Sequence, residues 1–245
     1  MIRVTVWNEF FHEQEQGDNL SRKYYPNGIH EYIADFLRPE FEVTTTTLAD
    51  HNLAVRPDCG ITKEMIDNTD VLIWWSHFMN DAVSDEAAAI VTDAVRRGMG
   101  VIFLHSGHNS KPFRSLMGTT CSLNWRLPGC KEKLWPVNAS HPIVKNVQAP
   151  IKLEEEEIYV EPFGIPEPDE LVFLGSYADG EAFRSGCCFK RQLGKIFYFQ
   201  PGHEACPTYY NLQVQTVIKN AVKWCYNDDR GAGTVDCLFA EKLTD

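Results

Sequence analysis

The sequence predicts an α/β fold, doubly wound around a mostly parallel sheet into which antiparallel hairpins are inserted. Three observations predict it. Short apolar runs alternate with amphipathic helical stretches over the first hundred residues, the pattern of strands crossed by helices on both faces. The runs at 71–75 (VLIWW) and 101–104 (VIFL) are apolar throughout, as strands covered on both faces are. A Pro- and Gly-containing middle, 119–177, interrupts the alternation, which then returns near the C-terminus.

Taken in order, residues 2–7 read as the first strand. Residues 28–37 carry Ile29, Ile33, Phe36 and Leu37 at helical spacing. Residues 42–48 are Thr-rich and β-prone. After the strand at 71–75, Ser84 is a fitting N-cap, and Asp85 and Glu86 fall in the first turn, where the helix dipole favours acids. Ala88, Val91 and Val95 form the buried stripe of that helix, and Gly98 suits a left-handed stop. The middle offers β-like pieces at 131–137, 151–160 and 170–176, read as hairpins rather than a separate domain. Residues 196–199 are the last parallel strand. The helix after it buries Val214, Val217, Ile218, Ala221, Val222 and Cys225. Residues 1–226 thus form one domain, and 227–245 a polar tail or partner-binding extension.

Composition narrows the function classes. The 245 residues are 44% hydrophobic and 23% charged, and the net charge is -11. An acidic chain without a basic cluster makes a poor nucleic-acid binder, because phosphate contacts need concentrated Lys and Arg, and an anionic membrane surface repels it. No apolar run approaches the roughly 20 residues that cross a bilayer. The N-terminus enters a strand at once without a basic leader, which fits a cytoplasmic protein. The eight cysteines, at 59, 121, 130, 187, 188, 206, 225 and 237, include no CxxC pair and read as reduced thiols. Cys187 and Cys188 fit strand residues on opposite faces. Composition leaves homo-oligomerisation open.

Ligand sites in parallel α/β sheets lie at the carboxyl ends of the strands, so the residues after each apolar run matter most. The first strand ends at Asn8 and Glu9, with His12 close behind. The second buried run leads into Ser76 and His77, and the third into His105, Ser106, Gly107 and His108. The last leads into Gln200, Pro201, Gly202, His203 and Glu204. A lone His after a strand is usually a hydrogen-bonded structural residue. Three on one sheet edge point to proton transfer or metal binding. His77, His105 and His203 are the metal candidates for a catalytic zinc-type site of three protein ligands and water, although no compact HxxxH or HExxH spacing selects among them. No glycine fingerprint for a dinucleotide is present. Gly107 is expected to permit the sharp turn after His105, and the spacing predicts that only one of His105 and His108 faces the site.

The segments VIFLHSGHN (101–109) and GKIFYFQPGHE (194–204) resemble the nucleophile elbow and catalytic His-x-Glu of class I glutamine amidotransferases, which have a flavodoxin-like fold. Here His105 stands where that resemblance places the cysteine nucleophile, and His203 and Glu204 are adjacent rather than spaced. Glutaminase chemistry needs an activated thiolate, so the scaffold is expected without the activity. A closer resemblance runs from about residue 3 to 224. It rests on VWNEFFHE (6–13), YPNGIH (25–30), DVLIWWSH (70–77), GMGVIFLHSGHNSKPF (98–113) and LMGTTCSLNWR (116–126). EEIYVEPFGIPEPDELVF (156–173), EAFRSGCCF (181–189) and GKIFYFQPGHE complete it. These motifs are similar to those of the ThuA-like, trehalose-utilisation family. The resemblance implies a role in sugar metabolism, often beside dehydrogenases that make 3-keto sugars. It also singles out Glu157 in E-E-x-Y-x-E as a candidate acid or base.

On this reading the chain is an enzyme acting on a sugar or keto-sugar. His105 and His203 handle protons, and Glu204 or Glu157 assists. Asn8, Glu9, His77, His108, Trp125 and Arg184 are the substrate-binding candidates, and Arg184 has pairing with the acidic run around Glu157 as its bland alternative. Trp7, Trp74, Trp75 and Trp125 lie near the site segments, where aromatic faces suit sugar C–H surfaces; core packing is the competing role, favoured for Trp74. The rival reading is a sugar-binding or regulatory module that kept the scaffold and lost the chemistry. A third is an amide or ester hydrolase with Ser106 as nucleophile.

Overall fold

The computed structural model describes residues 1–14, 19–228 and 230. Nine strands among them form one sheet: β1 (Arg3–Asn8), β2 (Glu42–Thr47), β3 (Val71–Ser76), β4 (Gly100–His105), β5 (Asn124–Pro136), β6 (Ile151–Val160), β7 (Glu170–Tyr177), β8 (Ala182–Arg191) and β9 (Gly194–Phe199). The helices are α1 (Leu20–Tyr24), α2 (Ile29–Leu37), α3 (Lys63–Asp67), α4 (Asp85–Arg96), α5 (Lys111–Met117) and α6 (Leu212–Cys225). The sheet order is β2-β1-β3-β4-β9-β8-β7-β5-β6.

The expected architecture is present. Strands β1, β2, β3, β4 and β9 pair in parallel, while β9–β8, β8–β7, β7–β5 and β5–β6 pair antiparallel. Strand β9 is therefore the seam. The hairpins come between β4 and β9 in sequence but extend the sheet beyond β9 in space, leaving the parallel run uninterrupted. Helices α2 and α6 pack on one face and α3, α4 and α5 on the other, each over its own apolar cluster. Cys188 belongs to the first cluster and Cys187 to the second, so the adjacent thiols do point to opposite faces.

Local chemistry sets the element ends. Ser84 Oγ accepts the Ala87 N–H at 3.1 Å and starts α4. Gly98, at φ 106°, ends it in a conformation that favours glycine. Asn211 caps α6 through the Gln213 N–H. Strand β5 begins at Asn124, earlier than the residue-131 start read from sequence, because register shifts between Arg126 and Glu132 break the alternation that marks a strand. The seven described cysteines are free thiols. Cys237 and nearly all of the 227–245 tail lie outside the described residues. No helix among the described residues is long and apolar enough to cross a membrane.

Candidate functional site

Four parallel strands deliver their carboxyl ends to one place. β1 brings Glu9 and His12, β3 brings His77, β4 brings His105, and β9 brings the 200–204 segment. The antiparallel extension completes it. β6 reaches back to this segment, and Glu156 accepts hydrogen bonds from Gly202 N (3.0 Å), His203 N (3.0 Å) and Thr208 Oγ1 (2.6 Å). One buried carboxylate thus fixes the loop that carries His203, and it sets Glu157 beside His105.

The three histidine rings form a near-equilateral triangle, with centroids 5.3 Å apart for His77–His105, 5.1 Å for His77–His203 and 5.4 Å for His105–His203. Ligand-capable atoms of His77, His105, Glu157 and His203 all lie within 4.8 Å of one another, and those of His12, His77 and Glu204 form a second such group. The two groups share His77.

Hydrogen bonds assign the ring nitrogens. His105 Nδ1 donates to the Gln200 carbonyl at 3.2 Å, leaving Nε2 to face Glu157 Oε2 at 3.2 Å and Tyr159 Oη at 3.5 Å. Burial alone would pull the His105 pKa down. The adjacent Glu157 carboxylate, with Glu156 and Glu204 behind it, outweighs this and raises it. Burial pushes Glu157 up, but His105, His203 and His77 bring it below the usual value. His203 Nδ1 accepts the Ala205 N–H at 3.1 Å, so its neutral ring presents Nε2–H, which lies 3.5 Å from Glu204 Oε1. Desolvation, with His105 next, lowers the His203 pKa to about 4. Glu204 is held well below the usual carboxylate range: burial opposes ionisation, but His77, His203 and His12 favour it more strongly.

His105 also carries backbone strain. Its φ is 52° and ψ -126°, a region costly for a residue with a Cβ and commonly retained at functional turns. The sharp bend thus falls on His105 itself rather than on Gly107, whose φ is not positive. Of the two elbow histidines, His108 lines the cleft and His105 is buried against His77 and His203. His105 and His108 lie against the same Tyr159 ring, stacked at 5.3 Å and edge-on at 5.5 Å respectively. The short 3-10 turn Ser106–Asn109 swings His108 onto the far side of that ring. His108 Nδ1 donates to the Cys121 carbonyl at 2.8 Å, and desolvation lowers its pKa to about 4, so a neutral ring offers its Nε2 lone pair.

Beside the triangle opens a cleft of about 500 Å³ lined by His77, Phe78, Ser106, His108, Trp125, Glu157 and Tyr159, among others, with His105 and His203 buried behind those residues; its size is within the range of about 300–1,000 Å³ typical of small-ligand sites. Its rim carries two exposed aromatics, Trp125 at 60% and Phe78 at 52%. Trp7, Trp74 and Trp75 are instead fully buried, with Trp7 and Trp74 stacked at 3.7 Å. Core packing therefore accounts for all three, not Trp74 alone.

The other sequence candidates sit elsewhere. Glu9 is buried and accepts the backbone N–H groups of His77, Phe78 and Met79 at 2.8–3.2 Å; burial raises its pKa to about 7 against those bonds. It holds the His77 loop from below. Asn8 bonds Glu13 Oε1, His30 Nδ1 and the Phe10 N–H, beneath the site. Arg184 is tied to Glu161 at 2.7 and 2.9 Å and to the Phe163 carbonyl, the pairing that was its bland alternative. Ser106 Oγ shares a 2.6 Å hydrogen bond with Tyr159 Oη and lies past the strained apex. Sequence reasoning missed Glu156 and Tyr159 as the groups that fix His203 and His105; in the run EEEE nothing marks which acids turn inward.

Comparison with known proteins bears on the family and the fold. A family model described as "ThuA: Trehalose utilisation" matches residues 3–225. No curated protein matches the sequence. Among solved structures, a ThuA-like protein from Parabacteroides merdae ATCC 43184 superposes with a TM-score of 0.68 at 11% identity, covering 97% of this chain and 92% of that one. Cytoplasmic protein STM3548 from Salmonella typhimurium gives 0.58 at 11% identity, covering 93% and 100%. A β-galactosidase from Bacillus circulans sp. alkalophilus gives 0.55 at 14% identity, covering 89% of this chain and 31% of that one. At such identities these likenesses establish the fold alone.

Proposed function

This chain belongs to the ThuA family, whose description points to a role in sugar metabolism, and we propose that it is an enzyme acting on a sugar or 3-keto-sugar by His/Glu acid–base chemistry, without glutaminase activity. The observation that carries the reading is the convergence of His77, His105, Glu157 and His203 within 4.8 Å beside a cleft of sugar size.

The chemistry follows from the donors and acceptors. A ketone acidifies the neighbouring C–H, provided that the developing enolate oxygen is stabilised. Glu157 is the carboxylate placed to take that proton. His105, with Nδ1 donating to Gln200, has Nε2 for the substrate oxygen, and His203 offers Nε2–H as a second donor. Tyr159, in contact with His105 and Ser106, steadies the pair. Trp125 and Phe78 supply apolar faces for the sugar ring. Isomerisation, elimination and hydration share this first proton transfer. The elbow apex carries an imidazole in place of a thiol, so an acyl-enzyme from glutamine has no nucleophile there.

The reading is tested by incubating the protein with 3-keto-glucosides, the parent sugars and glutamine, and following each by proton NMR. Conversion of a keto-sugar with no glutamate released is expected. Inertness toward every keto-sugar together with saturable binding of an unoxidised sugar would instead favour a sugar-binding module.

A further inference from the structure

We infer that His12, His77 and Glu204 form a seat for a first-row divalent cation of the zinc type, beside the proton-handling triangle. Three observations lead to it. First, the donor atoms are spaced as the edges of a coordination shell are. His77 Nδ1 lies 3.1 Å from His12 Nε2 and 3.0 Å from Glu204 Oε2, and one ligand-capable atom from each of the three residues lies within 4.8 Å of the other two. Tetrahedral zinc with ligands at about 2.0–2.2 Å separates them by about 3.4 Å.

Second, hydrogen bonding leaves the seat incomplete. His77 Nδ1 faces both an imidazole nitrogen and a carboxylate, and one proton there can serve only one of them. Glu204 Oε2 is buried without an aligned hydrogen-bond partner, in a residue only 6% exposed. A buried carboxylate oxygen left without such a partner is costly unless a further group joins it to His77.

Third, the charges are unbalanced. Glu9, Glu13 and Glu204 are buried around this point, and among the described residues no Lys or Arg forms an ion pair with any of them. The groups found within ion-pair distance of Glu9 and Glu204 are imidazoles, none of them a permanent cation. A divalent ion supplies the missing positive charge.

The donor set selects the ion. Two imidazoles and one carboxylate suit zinc, cobalt, manganese or iron(II), whereas magnesium and calcium prefer oxygen. The neighbouring group of His77, His105, Glu157 and His203 fits less well. His203 Nδ1 accepts a backbone N–H, which leaves a proton rather than a lone pair on Nε2. The Glu9 carboxylate backs the seat by accepting the His77 backbone N–H at 2.8 Å, which fixes the loop that carries that ligand. His12 and His77 keep 17% and 22% side-chain exposure, and His77 lines the cleft, so an open coordination position would face the substrate. A cation there polarises a carbonyl or hydroxyl oxygen and lowers the pKa of bound water.

The inference deepens the sugar reading by placing a Lewis acid beside the cleft, but it is tested without any sugar. Full-length protein is stripped with chelator, dialysed and titrated with Co²⁺ by absorption and with Zn²⁺ by calorimetry. One equivalent is expected, with visible d–d bands and a rise in melting temperature. Glu204→Gln and His12→Gln should each weaken uptake at least about tenfold, while Glu157→Gln should leave it unchanged. Should Glu204→Gln fail to fold, the Co²⁺ form of the parent still reports the ligands as hyperfine-shifted ring protons from two histidines. Absence of stoichiometric uptake overturns the seat, as does uptake that survives Glu204→Gln and His12→Gln or is lost in Glu157→Gln alone. A chain that binds the cation and converts no keto-sugar breaks the sugar reading and keeps the seat.

Discussion

His30 and His203 are both buried histidines whose pKa desolvation lowers to about 4, yet their surroundings differ in kind. His30, in α2, meets the Asn8 amide through Nδ1 at 3.0 Å and the Phe10 ring edge-on at 4.8 Å. Its direct contacts are neutral and come from one neighbouring strand end, with Glu31 and His51 acting on it only through longer-range charge. His203 stands 3.5 Å from a carboxylate and within 5.4 Å of two other imidazoles, on a loop pinned by Glu156. Burial and a shifted pKa are therefore common to a packing histidine and a site histidine. What separates them is convergence: several titratable groups, drawn from different strands, facing one point.

The comparison can be broken most sharply at the triangle. Glu157→Gln and His203→Gln should each lower keto-sugar turnover by roughly 10²–10⁴-fold, the usual weight of a general acid or base, while His30→Gln should leave turnover close to the parent value. Steady-state kinetics on the three variants decide this. Equal losses in all three would erase the distinction.

The next effect is structural. Glu156→Ala leaves the buried donors Gly202 N, His203 N and Thr208 Oγ1 without their acceptor, and each such group costs about 1–3 kcal/mol. Urea denaturation should show a loss of about 3 kcal/mol or more, with turnover falling as His203 loses its anchor. A loss below about 1 kcal/mol would mean that the loop finds other partners.

His30 sharpens the comparison through pH. Its pKa is depressed in the folded protein from an ordinary 6.5 to about 4, so the unfolded chain binds more protons between those values. Its contribution to stability is present above about pH 6.5 and is lost as the pH falls toward 4, to the extent of about 2–3 kcal/mol. Replacing His30 by Gln should flatten that part of the stability–pH curve. An unchanged acid limb would show that other groups carry it.

The smallest effect belongs to the cleft rim. Trp125→Ala removes an exposed aromatic face worth about 1 kcal/mol to a sugar ring, so KM should rise several-fold with kcat nearly constant. A change confined to kcat would place Trp125 in the chemistry rather than in binding.

The legibility of the molecule follows the same division. The parallel strands were readable because two-sided burial writes an unbroken apolar run, as in 71–75 and 101–104. The site's location was readable because a histidine follows three of those runs. The antiparallel side was read only in outline: register shifts in β5 erase its period, and β8 follows an Asp179-Gly180 turn whose hairpin signal went unused. The roles of individual acids were least legible. Glu154 and Glu155 are exposed while Glu156 and Glu157 are buried, a choice made by the path of β6 over the 200–208 segment. Asn8, Glu9 and Arg184 resembled substrate groups in sequence, but each is committed to holding the protein's own chain. The strain at His105 is signalled only by the resemblance of 101–109 to a nucleophile elbow, since residue type alone favours φ near -60° to -160° outside glycine.

The central claim is that the His–Glu triangle removes a proton from carbon next to a carbonyl. Hydrogen exchange tests it without knowledge of the final product. A 3-keto-glucoside is incubated with the protein in D₂O, and the signals of the hydrogens flanking the ketone are followed by NMR. The account predicts that the parent protein washes one of them out far faster than buffer does and that Glu157→Gln loses this acceleration. Turnover of the sugar with both hydrogens retained, or exchange undiminished in Glu157→Gln, would contradict it.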